Sequence, residues 1–320
     1  MSEDKAAVYS PRNAGDGSST DSLTQVRLAD DAVYGTGGGH EFYRPIPEYE
    51  GAHRYDPKIE WTEHEEKALI RRVSLLKHVG LDDDVDMGLQ LDWKICAWVC
   101  LMFFALQLDR GNISQALSDG MLSDLGLTTN DYNYGMTIFY VSFLSAELPS
   151  QMISKKLGPD VWIPIQMVSW SVVAICQCQL NGRSTFYLTR ALLGLIEGGF
   201  IPDVVLYLSY FYKSKELPIR LSFFWGAYIS TNILSAFMAF GLLRMRGING
   251  WAGWRWLFAL EGALTAVIGI ASWFYLPPSP TQTKSWFRGK NGWFSEREEK
   301  IMVNRILRDD PGKVSLRVAI

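Results

Sequence analysis

Six apolar segments between Ile95 and Leu276 constrain the fold of this 320-residue chain more than any other feature. Each is about 20 residues long, the length at which an α-helix crosses a bilayer. Backbone polar groups find no water in hydrocarbon, and continuous apolar runs lack the alternation of a membrane β-barrel. The sequence therefore predicts an all-α integral membrane protein with six transmembrane helices, at 94–111, 133–153, 162–180, 185–211, 218–243 and 255–276.

Charge and histidine content narrow the function classes. A formal net charge of -3 leaves no basic surface of the kind that binds nucleic acid, so that class is excluded. The four histidines, His40, His53, His64 and His78, all precede the first span. An intramembrane zinc site or histidine-based catalysis therefore has no ligands or bases to use. We expect no enzyme activity, no metal and no cofactor.

The distribution of charge divides the chain into three regions. Residues 1–90 begin with a Ser-, Gly- and Asp-rich tract and are expected to be cytoplasmic and largely disordered. Within them, Glu63 to Val79 could form an amphipathic helix or a frayed tail, and the pattern leaves both open. Residues 91–278 form the six-helix bundle. Residues 279–320 form a cytoplasmic linker helix and tail.

The linker helix has a recognisable start. Ser295 and Glu298 have the spacing of a capping box, which predicts a short helix through Leu307. Met302 and Ile306 lie one turn apart on it, so the helix could dock on the inner ends of the spans.

Basic residues in the loops give the orientation. The loop 112–131 has three aspartates and no Lys or Arg, whereas the next loop carries Lys155 and Lys156. Cytoplasmic loops carry an excess of basic residues, so the N-terminus is predicted to be cytoplasmic. The loop that carries Arg244 and Arg246 opposes this rule. Without a recognisable address, the plasma membrane is the default location of this multi-pass protein.

Several charged residues fall within or at the ends of the spans, where each costs roughly 2.5–3.5 kcal/mol on insertion scales. Such residues face a bundle interior or a wet cavity rather than lipid. We take five of them as candidate substrate-binding or proton-coupling residues: Asp109, Arg110, Glu147, Arg190 and Glu197.

Arg190, Gly194 and Glu197 share one face of the fourth predicted helix, because they are spaced i, i+4 and i+7. One interpretation is a protonatable Glu197 whose charge state is set by a nearby cation, as proton-driven symport requires. The alternative is a structural ion pair that locks helices together. Gly194 permits close helix contact.

Arg110 and Glu147 each have two interpretations. Arg110 presents a fixed cation suited to a carboxylate or sulfonate, or it merely snorkels beside Asp109. Glu147 precedes Leu148 and Pro149, where proline could loosen the helix and admit a polar site. The alternative, which the sequence favours slightly, is a kink with an incidental carboxylate on the cytoplasmic side.

These motifs together resemble the fungal allantoate permease-like branch of the major facilitator superfamily. The resemblance rests on segments 108–113, 147–150, 190–198, 253–258 with Glu261 and Gly262, and 293–300. It runs from about Leu91 to Gly312. It implies a proton-coupled symporter of small organic anions such as allantoate, vitamin acids or sulfonates, without a cofactor. By the family pattern, Arg110 would help bind the anion and Glu197 would couple protons, with Arg190 as its charge partner.

The superfamily builds a transporter from two six-helix halves, and this sequence is predicted to be equivalent to the N-terminal half only. A truncated half, pairing with a second half and homodimerisation all stay open at this stage. Two rival functions are an exporter of a fungal secondary metabolite and a non-transporting half-protein that binds full-length transporters.

Overall fold

The computed structural model describes residues 44–45, 49, 51–62, 65–66, 69, 92–289 and 292–309. Contacts divide the chain into residues 1–44 and 45–320, and only Arg44 of the first unit is described. The helices of the described residues all belong to the second unit. In its described part the regular structure is helical, apart from a single bridge between Ser285 and Gly289. The predicted all-α class is confirmed.

Helices occupy every predicted span. They are α1 (Ala97–Ser118), α2 (Thr129–Leu157), α3 (Pro159–Cys176), α4 (Arg183–Glu197), α5 (Phe200–Ser209), α6 (Leu217–Leu243) and α7 (Gly253–Tyr275), followed by α8 (Glu296–Asp309). A π-helical stretch, Asp92–Cys96, leads into α1, and one helical turn, Met121–Asp124, follows it.

By length and composition, four stretches could cross a membrane: Pro159–Gln179, Arg183–Ser209, Leu217–Leu243 and Gly253–Tyr275. The helices α1 and α2 lie on the first and second predicted spans but carry more polar residues towards their ends. The membrane-protein class is therefore supported, and the count of six spans stays a prediction.

The fourth predicted span, 185–211, is two helices rather than one. Helix α4 ends at Glu197 and α5 begins at Phe200, with Gly198 and Gly199 between them. Glycine weakens a helix because its backbone loses the most freedom on folding. Pro202 lies in the first turn of α5, where its missing N–H removes no helical hydrogen bond. The apolar run is continuous, so hydrophobicity alone could not reveal the break.

Helix α4 approaches α2 more closely than side chains normally allow. A Cβ atom at Gly194 would lie 2.3 Å from the carbonyl oxygen of Phe139, and one at Gly198 would lie 2.4 Å from that of Phe143. Only glycine fits at these contacts, so the predicted role of Gly194 in close helix packing is confirmed.

Two helix starts follow the capping chemistry of the sequence. At α2, Thr128 Oγ1 accepts from Asp131 N at 3.2 Å, and Asp131 Oδ2 accepts from Thr128 N at 2.9 Å. At α8, a Glu298 carboxylate oxygen accepts from Ser295 N at 2.7 Å. The predicted helix start is confirmed, and the helix continues to Asp309 rather than ending at Leu307.

Helix α8 docks on the bundle, as the spacing of Met302 and Ile306 predicted. Both side chains are buried. The buried Arg305 joins α8 to the segment before α6, because its Nη2 donates to the carbonyl of Phe211 at 3.1 Å and to Glu216 Oε2 at 2.8 Å.

Part of the N-terminal region contacts the same helix. Arg54 pairs with Glu296 at 2.6 Å, and Arg297 pairs with Glu65 at 3.0 Å. Glu65, Glu66 and Leu69 are helical, as the amphipathic pattern allowed. The prediction of disorder for most of 1–90, the rest of the helix from Glu63 to Val79, and the tail after Asp309 lie outside the described residues.

Candidate functional site

A cavity of about 280 Å³ opens between α1, α2, α4 and α6. Four of the five predicted site residues belong to its polar wall, which brings charges from two helices together. The lining residues are Gln107, Asp109, Arg110, Gly111, Met136, Phe139, Tyr140, Arg190, Leu193, Glu197, Tyr228 and Asn232.

Arg110 and Glu197 form an ion pair across α1 and α4. The distance from Arg110 Nε to Glu197 Oε2 is 2.7 Å, and the Glu197 side chain is 1% exposed. The Arg110 guanidinium also lies 4.8 Å from the ring centre of Phe143, a cation–π geometry. Arg110 therefore does not snorkel beside Asp109; it neutralises a carboxylate buried in the bundle.

The cation in contact with Glu197 is Arg110, whereas Arg190 lines the same cavity without an ion pair to Glu197 among the described contacts, so its role as the charge partner of Glu197 stays a prediction. Residues seven apart in a helix share a face but are about 10 Å apart along its axis, too far for an ion pair. Arg110 projects from the neighbouring helix α1, and its side chain reaches Glu197 instead. The family pattern placed Arg110, Arg190 and Glu197 at one site, and all three line this cavity.

Arg190 is a buried cation without an ion pair among the described residues. It is 3% exposed, and neither its Nε nor its Nη2 has a hydrogen-bond partner there. These two nitrogens form one edge of the guanidinium fork, the edge that binds a carboxylate through two parallel hydrogen bonds. The cavity wall therefore contains a cation whose bidentate edge is buried and has no partner among the described residues.

Asp109 lies at the back of the cavity. It is 1% exposed, and Oδ2 accepts from Trp170 Nε1 at 3.1 Å, while Oδ1 has no partner within the described part of the chain. Glu261 of α7 is also 1% exposed, and neither of its carboxylate oxygens has a described partner. Two buried acidic groups thus accompany the ion pair of Arg110 and Glu197.

Glu147 does not join this site. It is half-buried on α2, lies outside the cavity lining, and makes no hydrogen bond or ion pair with a described residue. Asp203, another charge in the fourth predicted span, is buried elsewhere, with its Oδ2 3.2 Å from Ser150 Oγ. The break between α4 and α5 separates it from the helix that presents Arg190.

The basic loop that opposed the orientation rule is engaged in structural contacts. We call Asp119, Asp124, Arg246 and Trp254 the loop clamp. Arg246 Nε donates to Asp119 Oδ1 at 3.2 Å, Trp254 N donates to Asp119 Oδ2 at 2.8 Å, and Trp254 Nε1 donates to Asp124 Oδ2 at 2.9 Å. The hydrogen bond from Arg246 to Asp119 raises the pKa of Arg246.

Sequence reasoning missed the neutral members of the cavity wall, Gln107, Tyr228 and Asn232. Neutral polar and aromatic residues are common in membrane helices and give no signal of their own. Glu261 could be found from the sequence, because it is an acidic residue within an apolar span. No residue three or four positions away from it is basic, so its own helix cannot pair it.

No cluster of three or more potential metal ligands occurs among the described residues. The cavity wall offers ionic groups: the paired cation Arg110, the cation Arg190 without a described ion pair, and the two buried carboxyl groups of Asp109 and Glu197. Such a site can hold an anion and exchange a proton on a carboxylate.

Known proteins are similar to this chain in sequence. A family model for the Major Facilitator Superfamily matches residues 99–312. A protein of Saccharomyces cerevisiae named an uncharacterized transporter is 47% identical over 266 residues, which are 83% of this chain and 46% of that protein. A putative tartrate transporter of Agrobacterium vitis is 30% identical over 224 residues, which are 70% of this chain and 48% of that one.

Solved structures share the fold. The crystal structure of a bacterial homolog of the human lysosomal transporter Spinster, inward-facing and unoccupied, superimposes with a TM-score of 0.53 at 14% identity. The match covers 60% of this chain and 44% of that one. The chain spans about half the length of these relatives.

Proposed function

The chain belongs to the Major Facilitator Superfamily, and from this premise we propose that it serves the uptake of a small organic anion together with protons. The observation that carries the proposal is the bidentate edge of Arg190, which is buried in a cavity without a partner among the described residues. A buried unpaired cation is costly, and such residues in membrane helices mark substrate or ion pathways.

Arg190, rather than Arg110, is the anion-binding residue in this proposal. Arg110 already has Glu197 at 2.7 Å. An incoming carboxylate or sulfonate would bind the Nε and Nη2 edge of Arg190 through two charge-assisted hydrogen bonds. Tyr228 and Asn232 would supply neutral contacts from the part of the wall that α6 contributes.

Glu197 is the proton-coupling residue. Protonation removes its charge, which releases Arg110 from the ion pair and leaves a second cation facing the cavity. Anion binding and proton binding then favour each other, because each supplies the charge that the other lacks. This thermodynamic reciprocity is the requirement for symport.

The substrate class follows from the cation and from the relatives. One relative is named a putative tartrate transporter, and the motifs resemble those of the allantoate permease-like branch. Tartrate, allantoate, vitamin acids and sulfonates all offer oxyanions that fit a guanidinium fork. We place the protein in the plasma membrane with its N-terminus in the cytoplasm.

The test is uptake of labelled tartrate, allantoate, nicotinate and taurine by cells that express the 320-residue chain, at external pH 5 and pH 7. We expect saturable uptake of at least one anion that is faster at the acidic pH. Glu197→Gln should remove the pH dependence. Arg246→Gln, in the loop clamp, is the matched control and should retain it.

Absence of uptake and of binding for every anion would overturn the proposal. Binding is measured separately with the purified chain, because a missing partner could prevent transport without preventing binding. Efflux of the anion from preloaded cells, measured with an opposing gradient imposed, would assign the protein to export instead.

A second candidate function is supported by the surface of α6. Large apolar side chains on this helix are widely exposed, among them Phe223 at 64%, Ile229 at 65% and Phe237 at 72%. Such a surface fits a second six-helix half, either a full-length transporter or another copy of this chain. Co-purification with a six-helix partner, in the absence of anion binding by the chain alone, would select this function.

A further inference from the structure

A second cavity lies between α2, α3 and α4 and shares no lining residue with the cavity around Arg190. This groove has a volume of about 410 Å³, and most of its wall is apolar. Ile153 and Leu195 on its rim are 39% and 46% exposed, so the groove is open at the surface of the bundle. In a membrane, lipid would reach the groove from that surface.

The floor of the groove is polar and centred on Ser150. Its Oγ accepts hydrogen bonds from Trp162 Nε1 and from Gln166 Nε2, both at 2.9 Å. It also lies 3.2 Å from Asp203 Oδ2, to which it donates. A hydroxyl has one proton and two lone pairs, so Ser150 is saturated by these three contacts.

Gln166 has an unused acceptor. The side chain is 2% exposed, and Oε1 has no donor among the described residues. The amide orientation is fixed, because Nε2 also donates to the carbonyl of Ile196 at 3.3 Å and a carbonyl can only accept. A buried acceptor without a donor is unfavourable, so a hydrogen-bond donor brought to the floor of the groove would stabilise it.

The groove continues along α3. Ile165 and Ser169 also line a neighbouring apolar groove of about 370 Å³, together with Ile270, Trp273 and Phe274. Ser169 is one turn from Gln166, and its hydroxyl makes no hydrogen bond with the described residues. A ligand hydroxyl at this point could donate to Gln166 and accept from Ser169.

The geometry points to a binding site for a membrane sterol, whose single hydroxyl donates to Gln166 Oε1 while its rigid hydrocarbon body lies along Ile165 and Leu195. Diacylglycerol also has one hydroxyl, but its two ester carbonyls require donors. The floor offers few, since Trp162 and the Gln166 amide nitrogen already donate within the protein. A rigid body also loses less conformational freedom on binding than two acyl chains.

The test uses the full chain in phosphatidylcholine nanodiscs with a photoreactive sterol, and adducts are mapped by peptide mass spectrometry. We expect adducts in 145–169 and 195–196. Excess unlabelled sterol should remove them. The matching 3-keto steroid keeps the shape but cannot donate, so it should compete about fivefold less well, the factor expected for one hydrogen bond.

Two substitutions on α4 separate a site from general lipid contact. Leu195 lines the groove, whereas Leu188 is 59% exposed two turns away on the same helix and lies outside it. Leu195→Trp should block the groove and lower labelling several-fold, and Leu188→Trp should not. Neither substitution removes an internal hydrogen bond.

Three results would overturn the sterol site. Equal labelling in both tryptophan variants would mean general lipid contact. Equal competition by the 3-keto steroid would mean that Gln166 accepts no hydrogen bond. Displacement by dioleoylglycerol as effective as that by sterol would assign the groove to another lipid.

Discussion

The loop clamp and the cavity around Arg190 contain similar residues but treat their charges in opposite ways. In the loop clamp, both carboxylate oxygens of Asp119 receive hydrogen bonds, and Arg246 donates to both the side chain and the carbonyl of that residue. In the cavity, Nε and Nη2 of Arg190, Oε1 of Glu197 and Oδ1 of Asp109 have no described partner.

This difference separates structural charge from functional charge. Charged groups at the helix ends that have hydrogen-bond partners within the protein hold loops and helices in place. They leave few unpaired polar atoms for a ligand to bind. Unsatisfied charges deep in the bundle lower stability, and they persist where a ligand or proton completes them. The comparison therefore predicts which substitutions lower stability and which lower binding.

The largest expected effect concerns the ion pair of the cavity. Arg110→Gln leaves Glu197 buried without its cation, which should lower the free energy of unfolding by about 3–5 kcal/mol. The double variant Arg110→Gln/Glu197→Gln should recover much of this loss, because no uncompensated charge remains. Denaturant titration of the purified chain in detergent measures both. Equal losses in the single and double variants would mean that the pair does not act as a unit.

Arg190 should behave in the opposite way. Arg190→Gln removes a buried cation that has no described ion pair and only a long cation–π contact, 5.8 Å, with Phe186, so the free energy of unfolding should stay constant or rise by about 1–3 kcal/mol. Anion binding should weaken in the same variant. The same titration, run beside an anion-binding assay, gives both numbers. A loss of stability comparable to that of Arg110→Gln would show that Arg190 has a structural partner.

Much of this contrast was accessible from the sequence. The positions of the charged residues in apolar spans, the helical class and the capping residues Ser295 and Glu298 all follow from local patterns. The partner of Glu197 does not, because it depends on how α1 lies against α4. The break at Gly198 and Gly199 was also hidden, since hydrophobicity continues across it. Local rules predict which charges are buried, whereas tertiary packing decides which of them are paired.

The loop clamp should contribute to stability alone. Asp119→Asn keeps the shape but loses the charge and one of the accepting oxygens, which should lower the free energy of unfolding by about 1–2 kcal/mol. Anion uptake and its pH dependence should not change. Ser118→Ala, at the neighbouring exposed position, is the control for helix-end effects. If Asp119→Asn altered the pH dependence of uptake, the division between the two regions would be wrong.

The smallest effect is expected where α8 meets the N-terminal segment. Burial raises the pKa of Glu66, but hydrogen bonds from Lys213 and Trp61 outweigh it, so the pKa lies below the usual value of 4.5. A lowered pKa in the folded state contributes stability above the ordinary pKa, and this contribution is lost as pH falls through the lowered value. We expect less than about 1 kcal/mol, since the pair is partly exposed.

Trp61 Nε1 donates to Glu66 Oε2 at 2.9 Å, so the emission of Trp61, separated from that of the other eleven tryptophans by subtracting the spectrum of a Trp61→Phe variant, reports the loss of this hydrogen bond. The emission should shift on acidification below pH 4.5 in the native chain and should be shifted already at pH 7 in Glu66→Gln. A Glu66→Gln variant whose emission still titrates like the native chain would assign the transition to another group.

The most direct test of the functional cavity compares tartrate binding by two lysine variants at equal pH and salt. Arg190→Lys keeps the charge but loses the bidentate edge, so the Kd for tartrate should rise about tenfold. Arg246→Lys, in the loop clamp, should leave the Kd unchanged. Equal Kd values in both variants and the native chain would contradict the account, because Arg190 would then be a buried cation that binds no anion.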